Sequence, residues 1–185
     1  MQISIYFSKT ENDIIIDTIS LLEKLLLMHQ SNIKIGILCE NEIVMNNLDK
    51  ALWTVIQNSF IPHTIVTNDE KIDIYPILLS DNFDKISFCQ MLFIYGSVDY
   101  LNSFFENITE FVNNINNNSE IKITTLFMIT YYSDTNDNME NSLNFNNNND
   151  KSKLFDFSKF NKSILQNNKF ISFKKKDGKW IQIIS

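Results

Sequence analysis

Glycine is scarce in this chain: Gly36, Gly96 and Gly178 are its three glycines in 185 residues. None opens a G-x-G-x-x-G or a G-x-x-x-x-G-K pattern. A phosphate cradle uses glycine so that backbone amides can approach the ligand, and nucleotide binding by the usual α/β devices is therefore not expected. Arginine is absent; all 16 basic residues are lysine, against 22 acidic residues, for a net charge of −6. Sequence-independent nucleic-acid binding needs a net basic face, so no direct DNA binding is expected, although one local basic pocket is compatible with the balance. The two cysteines, Cys39 and Cys89, are too few for a disulfide framework and are not spaced as a zinc site. No apolar run approaches the roughly 20 residues that span a bilayer. The N-terminal segment lacks the basic region and small-residue cleavage site of a signal peptide. These absences lead to the expectation of a cytoplasmic protein with no membrane contact, no metal and no cofactor.

Apolar residues make up 44% of the chain, enough for one domain with a core. In residues 3–7, Ile3, Ile5 and Phe7 alternate with polar residues, which predicts a first strand. Ile15, Ile19, Leu22 and Leu26 fall at helical spacing within 14–28, with Asp13 as the expected N-cap. Residues 72–80 and 88–95 read as strands, the first edged by Pro76 and the second ended by Gly96. Over 100–115, Phe104, Ile108, Phe111, Val112 and Ile115 form one apolar stripe and predict one helix. Residues 121–129 read as a strand. Asn-rich tracts at 113–119 and 135–150 have little to bury and read as loops. Residues 157–166 predict a short helix with Phe157, Phe160 and Ile164 on one side and Lys159 and Lys162 on the other. Residues 169–173 predict a strand, Asp177-Gly178 a two-residue hairpin turn, and Lys179, Trp180 and Ile181 its return strand.

The central stretch, 33–63, carries the most information. Residues 33–38 are an apolar strand, and Cys39-Glu40-Asn41-Glu42 is a polar break that can cap a helix. Val44, Leu48, Leu52 and Val55 then share one helical face, with Trp53 on its flank. Pro62 forbids further helix before His63. The result is strand, turn, helix and extended loop, half of a βαβ unit. Glu40 and Glu42 could form an acid/base pair, but at a strand-to-helix turn they more simply stabilise the helix N-terminus. Both cysteines read as small core residues. His29, at a helix end, reads as solvated. His63 reads as part of an exposed loop, where a loop-fixing hydrogen bond outweighs any chemistry. Trp53 reads equally as a half-buried core residue and as a partner anchor.

The wording Cys39-Glu40-x-Glu42, Leu48-Asp49-x-Ala51-Leu52-Trp53 and Ser59-Phe60-Ile61-Pro62-His63 resembles the chi subunit of bacterial DNA polymerase III, a clamp-loader accessory family. Phe104-Phe105-Glu106 and Ile108-Thr109-Glu110-Phe111-Val112 match that family in type and spacing, as does the closing basic-aromatic helix, strand, Gly and Trp. The resemblance implies a single Rossmann-like α/β domain over 1–185, a mostly parallel sheet flanked by helices, with an Asn-rich insertion around 113–156. It implies a non-catalytic accessory subunit of the replicative holoenzyme. Such a subunit links the clamp loader, through psi, to the acidic C-terminal tail of single-stranded-DNA-binding protein. It also implies roles: Trp53, Lys159, Phe160 and Lys162 at the tail site, and Phe60, Ile61, Pro62 and His63 at the psi or clamp-loader contact. Two other classes stay open, a generic acidic interaction module of Rossmann-like fold and a nucleotide-dependent enzyme. The missing glycine loop speaks against the second.

Overall fold

The computed structural model describes residues 1–8, 10–29, 33–54, 61–66, 74–118, 123–131, 169–176 and 179–184. The strands are β1 (Gln2–Ser8), β2 (Ile35–Cys39), β3 (His63–Ile65), β4 (Ile77–Ser80), β5 (Met91–Tyr95), β6 (Thr125–Tyr131), β7 (Lys169–Lys176) and β8 (Lys179–Ile184). They form one sheet in the order β3-β4-β2-β5-β6-β1-β7-β8. β1 to β7 run parallel, and β8 returns antiparallel to β7. The helices are α1 (Glu11–His29), α2 (Glu42–Thr54), α3 (Val98–Glu106) and α4 (Ile108–Asn117). The expected α/β class and the mostly parallel sheet are therefore found. No helix among the described residues is long and apolar enough to cross a membrane.

Every residue of β2, β4 and β5 is buried. That is why these strands read as unbroken apolar runs: a parallel strand covered on both faces has no side for solvent. On one face, α1 and α2 set Ile19, Leu22, Leu48 and Leu52 against Ile35, Ile37, Phe93 and Phe127. On the other, Leu101 of α3 and Ile108, Val112 and Ile115 of α4 cover Ile3, Ile5, Leu92 and Met128. A short 3-10 helix, Phe83–Ile86, adds Ile86 to this second layer.

Three local expectations change. The N-cap of α1 is Thr10, not Asp13: the Asp13 carboxylate accepts hydrogen bonds from the Thr10 backbone N–H (3.1 Å) and hydroxyl (2.8 Å). This is the reciprocal half of a capping box, one turn inside the helix. The single helix expected over 100–115 is two helices broken at Asn107. Asn107 Nδ2 donates to the Ser103 carbonyl at 3.0 Å. The side chain thus takes an acceptor that a continuing helix would give to the backbone. The apolar stripe survives the break, because Phe104 and Phe111 still meet edge to face at 4.9 Å. Finally, β7 runs to Lys176, longer than the expected strand. Of the Asn-rich region around 113–156, residues 113–117 complete α4 and Thr125–Tyr131 form β6 beside β1. Residues 132–156 lie outside the described residues, as do the helix expected at 157–166 and the turn at Asp177-Gly178.

Candidate functional site

α2 is positioned by its ends and its core face. Asn41 Oδ1 accepts from the Val44 N–H at 3.0 Å, capping the first turn. Met45, Leu48, Ala51 and Leu52 are buried. That leaves Glu42, Asn46, Asp49 and Trp53, at i, i+4, i+7 and i+11, as a stripe along the flank. β3, the edge strand, runs beside this stripe and supplies the other wall of a groove of about 540 Å³. Among the described residues, Glu42, Asp49 and Asp81 line it with carboxylates, against one ammonium, Lys85. Trp53 is 53% exposed, and its ring lies 4.8 Å from that of His63, centroid to centroid.

His63 is not in an exposed loop. It starts β3 and is buried, as is Ile61, which packs with the α1–α2 core layer. The hydrogen bond expected of His63 is present, with Nδ1 2.6 Å from the Ile61 carbonyl. Nε2 stands 3.2 Å from Asp49 Oδ1, close enough for a charge contact but without the alignment of a hydrogen bond. Sequence periodicity did not show this, because Pro62 separates Ile61 and His63 from any regular pattern.

Glu40 and Glu42 are not a pair. Glu42 sits in the first turn of α2, as expected, but Glu40 serves a different helix. Its Oε2 accepts from the Ser97 N–H at 2.8 Å, just before α3. Gly96 makes room for this: a Cβ there would stand 2.8 Å from Glu40 Cβ and 2.5 Å from the Tyr100 ring. Burial, with Cys39 and the Glu40 charge adding to it, pushes the Tyr100 hydroxyl up to about 12. Glu40→Ala should therefore lower the unfolding free energy by about 1 kcal/mol, as the loss of a helix cap does. A urea midpoint equal to that of the parent would show that the contact contributes nothing.

Cys39 and Cys89 are both buried, as expected of core residues. Burial pushes each thiol up to about 12, with Asp81 adding to the effect at Cys39 and Lys34 opposing it at Cys89. A reactive thiol needs the opposite shift. Among the described residues, no three His, Cys, Asp or Glu side chains converge as metal ligands would.

The described lysines near the end of the chain lie far from Trp53. Lys159, Phe160, Lys162 and Phe60 are outside the described residues. Lys169, Lys174, Lys175 and Lys176 are in β7, six steps across the sheet from β3. At about 4.8 Å per step, that is on the order of 30 Å. One of these lysines has a partner that sequence reading missed. The Lys175 ammonium pairs with the fully buried Asp17 carboxylate of α1, which also accepts from the Ser8 hydroxyl at 2.7 Å. The Trp180 ring stands under the same ammonium at 5.8 Å. Asp17 gave a weak signal in the sequence, an acidic residue one position from Ile16 and two from Ile19 and Ile15. Its partner 158 residues away gave none.

A comparison with protein families returns one described as "DNA polymerase III chi subunit, HolC", matched over residues 4–125. That span runs from β1 to the first residue of β6 and includes α1 to α4 and the α2–β3 groove. A search of curated proteins found no match. With the polar turn after β2, the Leu-Asp-x-Ala-Leu-Trp helix and the doubly covered strands β2, β4 and β5 all inside the matched span, the chain belongs to the DNA polymerase III chi subunit family, and with it to the accessory subunits of that replicase.

Proposed function

We propose that the chain is a non-catalytic, cytoplasmic adaptor. It connects the clamp loader, through psi, to the acidic C-terminal tail of single-stranded-DNA-binding protein. The observation that carries this reading is family membership across two thirds of the chain. The physical requirements are two separate surfaces, one of them cationic with an apolar slot for the end of an acidic tail.

The site residues divide between these surfaces. In this reading Lys159, Phe160 and Lys162 belong to the tail site. Phe60 and Pro62 give the psi side its contact, and the buried Ile61 and His63 hold that segment in place. Trp53, which the family resemblance gives to the tail, lies tilted against the His63 ring and stands among carboxylates. A carboxylate-lined groove repels an acidic tail, and this supports assigning Trp53 to the psi side.

The test is titration calorimetry with an Asp-rich peptide ending in Phe, run beside capture of psi. Lys162→Glu should weaken the peptide about tenfold or more, since a charge-assisted contact is worth roughly 1.5–3 kcal/mol. Trp53→Ala and Phe60→Ala should weaken psi and leave peptide affinity within about twofold. Loss of peptide binding on Trp53→Ala would return Trp53 to the tail site.

A further inference from the structure

Glu42, Asp49 and Asp81 face the groove between α2 and β3, and Trp53 and Tyr75 give it aromatic surface. Glu42 and Asp81 are exposed, and Asp49 is half-buried. The His63 ring, which also lines the groove, is a second and independent sign of an unmet cation. Its Nδ1 lies 2.6 Å from the Ile61 carbonyl, and a carbonyl only accepts, so Nδ1 carries the hydrogen. In the neutral ring Nε2 is then an acceptor. It is buried, has no hydrogen bond and stands 3.2 Å from Asp49 Oδ1, another acceptor. Two acceptors at that distance repel, and a cation on the groove side of Asp49 relieves the repulsion.

The shape fits a peptide. From Glu42 to Trp53 the α2 wall spans roughly 16 Å of helix. That is the length of about five residues of extended chain. β3, the opposite wall, is the first strand of the sheet, where an extended segment can lie alongside.

We infer that this groove is a docking site for a short segment of a partner protein that carries arginine. The inference rests on the assignment of Trp53 to the psi side and adds the chemistry of the segment that enters there. Trp53 is one helical turn from Asp49, so a planar guanidinium can lie on the ring and fork to the carboxylate at once, which an ammonium cannot do. Met45, Ile65 and Val66 give flanking apolar side chains a floor. A second copy of the chain fits less well, because it contains no arginine. Its cations are lysines, and those of the β7–β8 ribbon lie at the opposite edge of the sheet.

The experiment uses the full chain, a fluorescent peptide with two arginines between leucines, and its twin with citrulline, a neutral isostere, in place of arginine. The variants are Asp49→Asn, Asp81→Asn, the double variant and Trp53→Leu, each with its unfolding midpoint measured. Glu110→Gln, at an exposed position on α4, controls for general attraction by an acidic protein. The citrulline twin should bind about tenfold more weakly than the arginine peptide. Each single groove variant should weaken the arginine peptide about threefold, the double variant about tenfold, and Glu110→Gln not at all. Asp81 is exposed, so its variant reads the groove even where a change at Asp49 disturbs His63. A twin that binds as well as the arginine peptide, or equal loss in Glu110→Gln and the groove variants, overturns the inference. Self-association of the parent that excludes the peptide and is lost in Asp81→Asn assigns the groove to a second copy and overturns it too. A parent that captures psi but does not bind the arginine peptide leaves the adaptor reading standing and overturns the arginine site. The expected peptide results in a parent that captures no psi overturn the psi half of that reading and keep the docking site for another arginine-bearing partner.

Discussion

Replacing Lys175 by Met is expected to lower the unfolding free energy by about 3 kcal/mol or more, the usual cost of breaking a buried ion pair from one side. The reason lies with the partner left behind. Asp17 is fully buried, and without Lys175 its carboxylate keeps only the Ser8 hydroxyl as donor among the contacts described. A buried charge with one hydrogen bond is poorly compensated. Lys175 itself is 25% exposed, so the reverse change should cost less. In Asp17→Asn the amide can still accept from Ser8, and the ammonium can turn towards water. For a domain of this size 1 kcal/mol moves the melting temperature by about 2–4 °C, so Lys175→Met should lower it by on the order of 10 °C. The double variant Asp17→Asn/Lys175→Met should recover part of that loss, because it removes the uncompensated charge. The pair joins α1, the first helix, to β7, near the end of the chain, so its loss should also loosen the C-terminal ribbon. If Lys175→Met unfolds within about 1 kcal/mol of the parent, the pair behaves like an exposed one, and β7 must be held by other contacts.

Phe127→Ala is expected to cost about 3–5 kcal/mol, as large-to-small changes at buried phenylalanines do. Phe127 is 5% exposed in the centre of β6. Its ring stacks on Phe93 of β5 at 4.6 Å and faces Tyr6 of β1 at 6.2 Å. Tyr6 in turn stacks on Phe173 at 4.8 Å and meets Trp180 edge-on at 4.9 Å. A row of aromatic rings thus runs from β5 to β8 on the α1 side, and Phe127 joins Phe93 to Tyr6 within it. Burial pushes the Tyr6 hydroxyl up to about 12, consistent with a ring packed deep in this row. Phe127→Leu keeps most of the volume and should cost roughly 1–1.5 kcal/mol. Urea unfolding followed separately by Trp180-sensitive fluorescence and by circular dichroism gives the decisive readout. In Phe127→Ala the two should separate, the ribbon losing its packing before the sheet melts. Coincident transitions with a loss below about 1 kcal/mol would show that the cavity closes around the missing ring.

Much of the fold was legible because its signals are local. Five-residue apolar runs such as β2 and β5 can only be strands covered on both sides. The helical spacing of Ile19 with Leu22, and of Leu48 with Leu52, marks the faces that pack on them. The strand, Cys-Glu turn, Leu-Asp-x-Ala-Leu-Trp helix and Pro-His segment follow one another in sequence, so the resemblance to the chi family needed no tertiary information. What failed locally failed for a stated reason. The stripe from Phe104 to Ile115 is helical in period on both sides of Asn107, and period alone does not register a side chain that takes the Ser103 carbonyl.

The sequence by itself determined the class of the protein. Three glycines, no arginine, two cysteines and one strongly patterned supersecondary unit left a parallel α/β domain of the chi family as its reading. Only the tertiary structure decided which charged and aromatic residues meet. It gave Glu40 to the N-terminus of α3 across 57 residues, and Asp17 to Lys175 across 158. It buried His63 under Trp53, and it set the carboxylate-lined groove and the lysine ribbon at opposite edges of an eight-stranded sheet. The physical reason is range. Backbone periodicity and capping act within a turn or two of the chain and are written in neighbouring residues. Ion pairs, ring stacks and the grouping of charge depend on strand order, and strand order follows from how the helices cover both faces of the sheet at once.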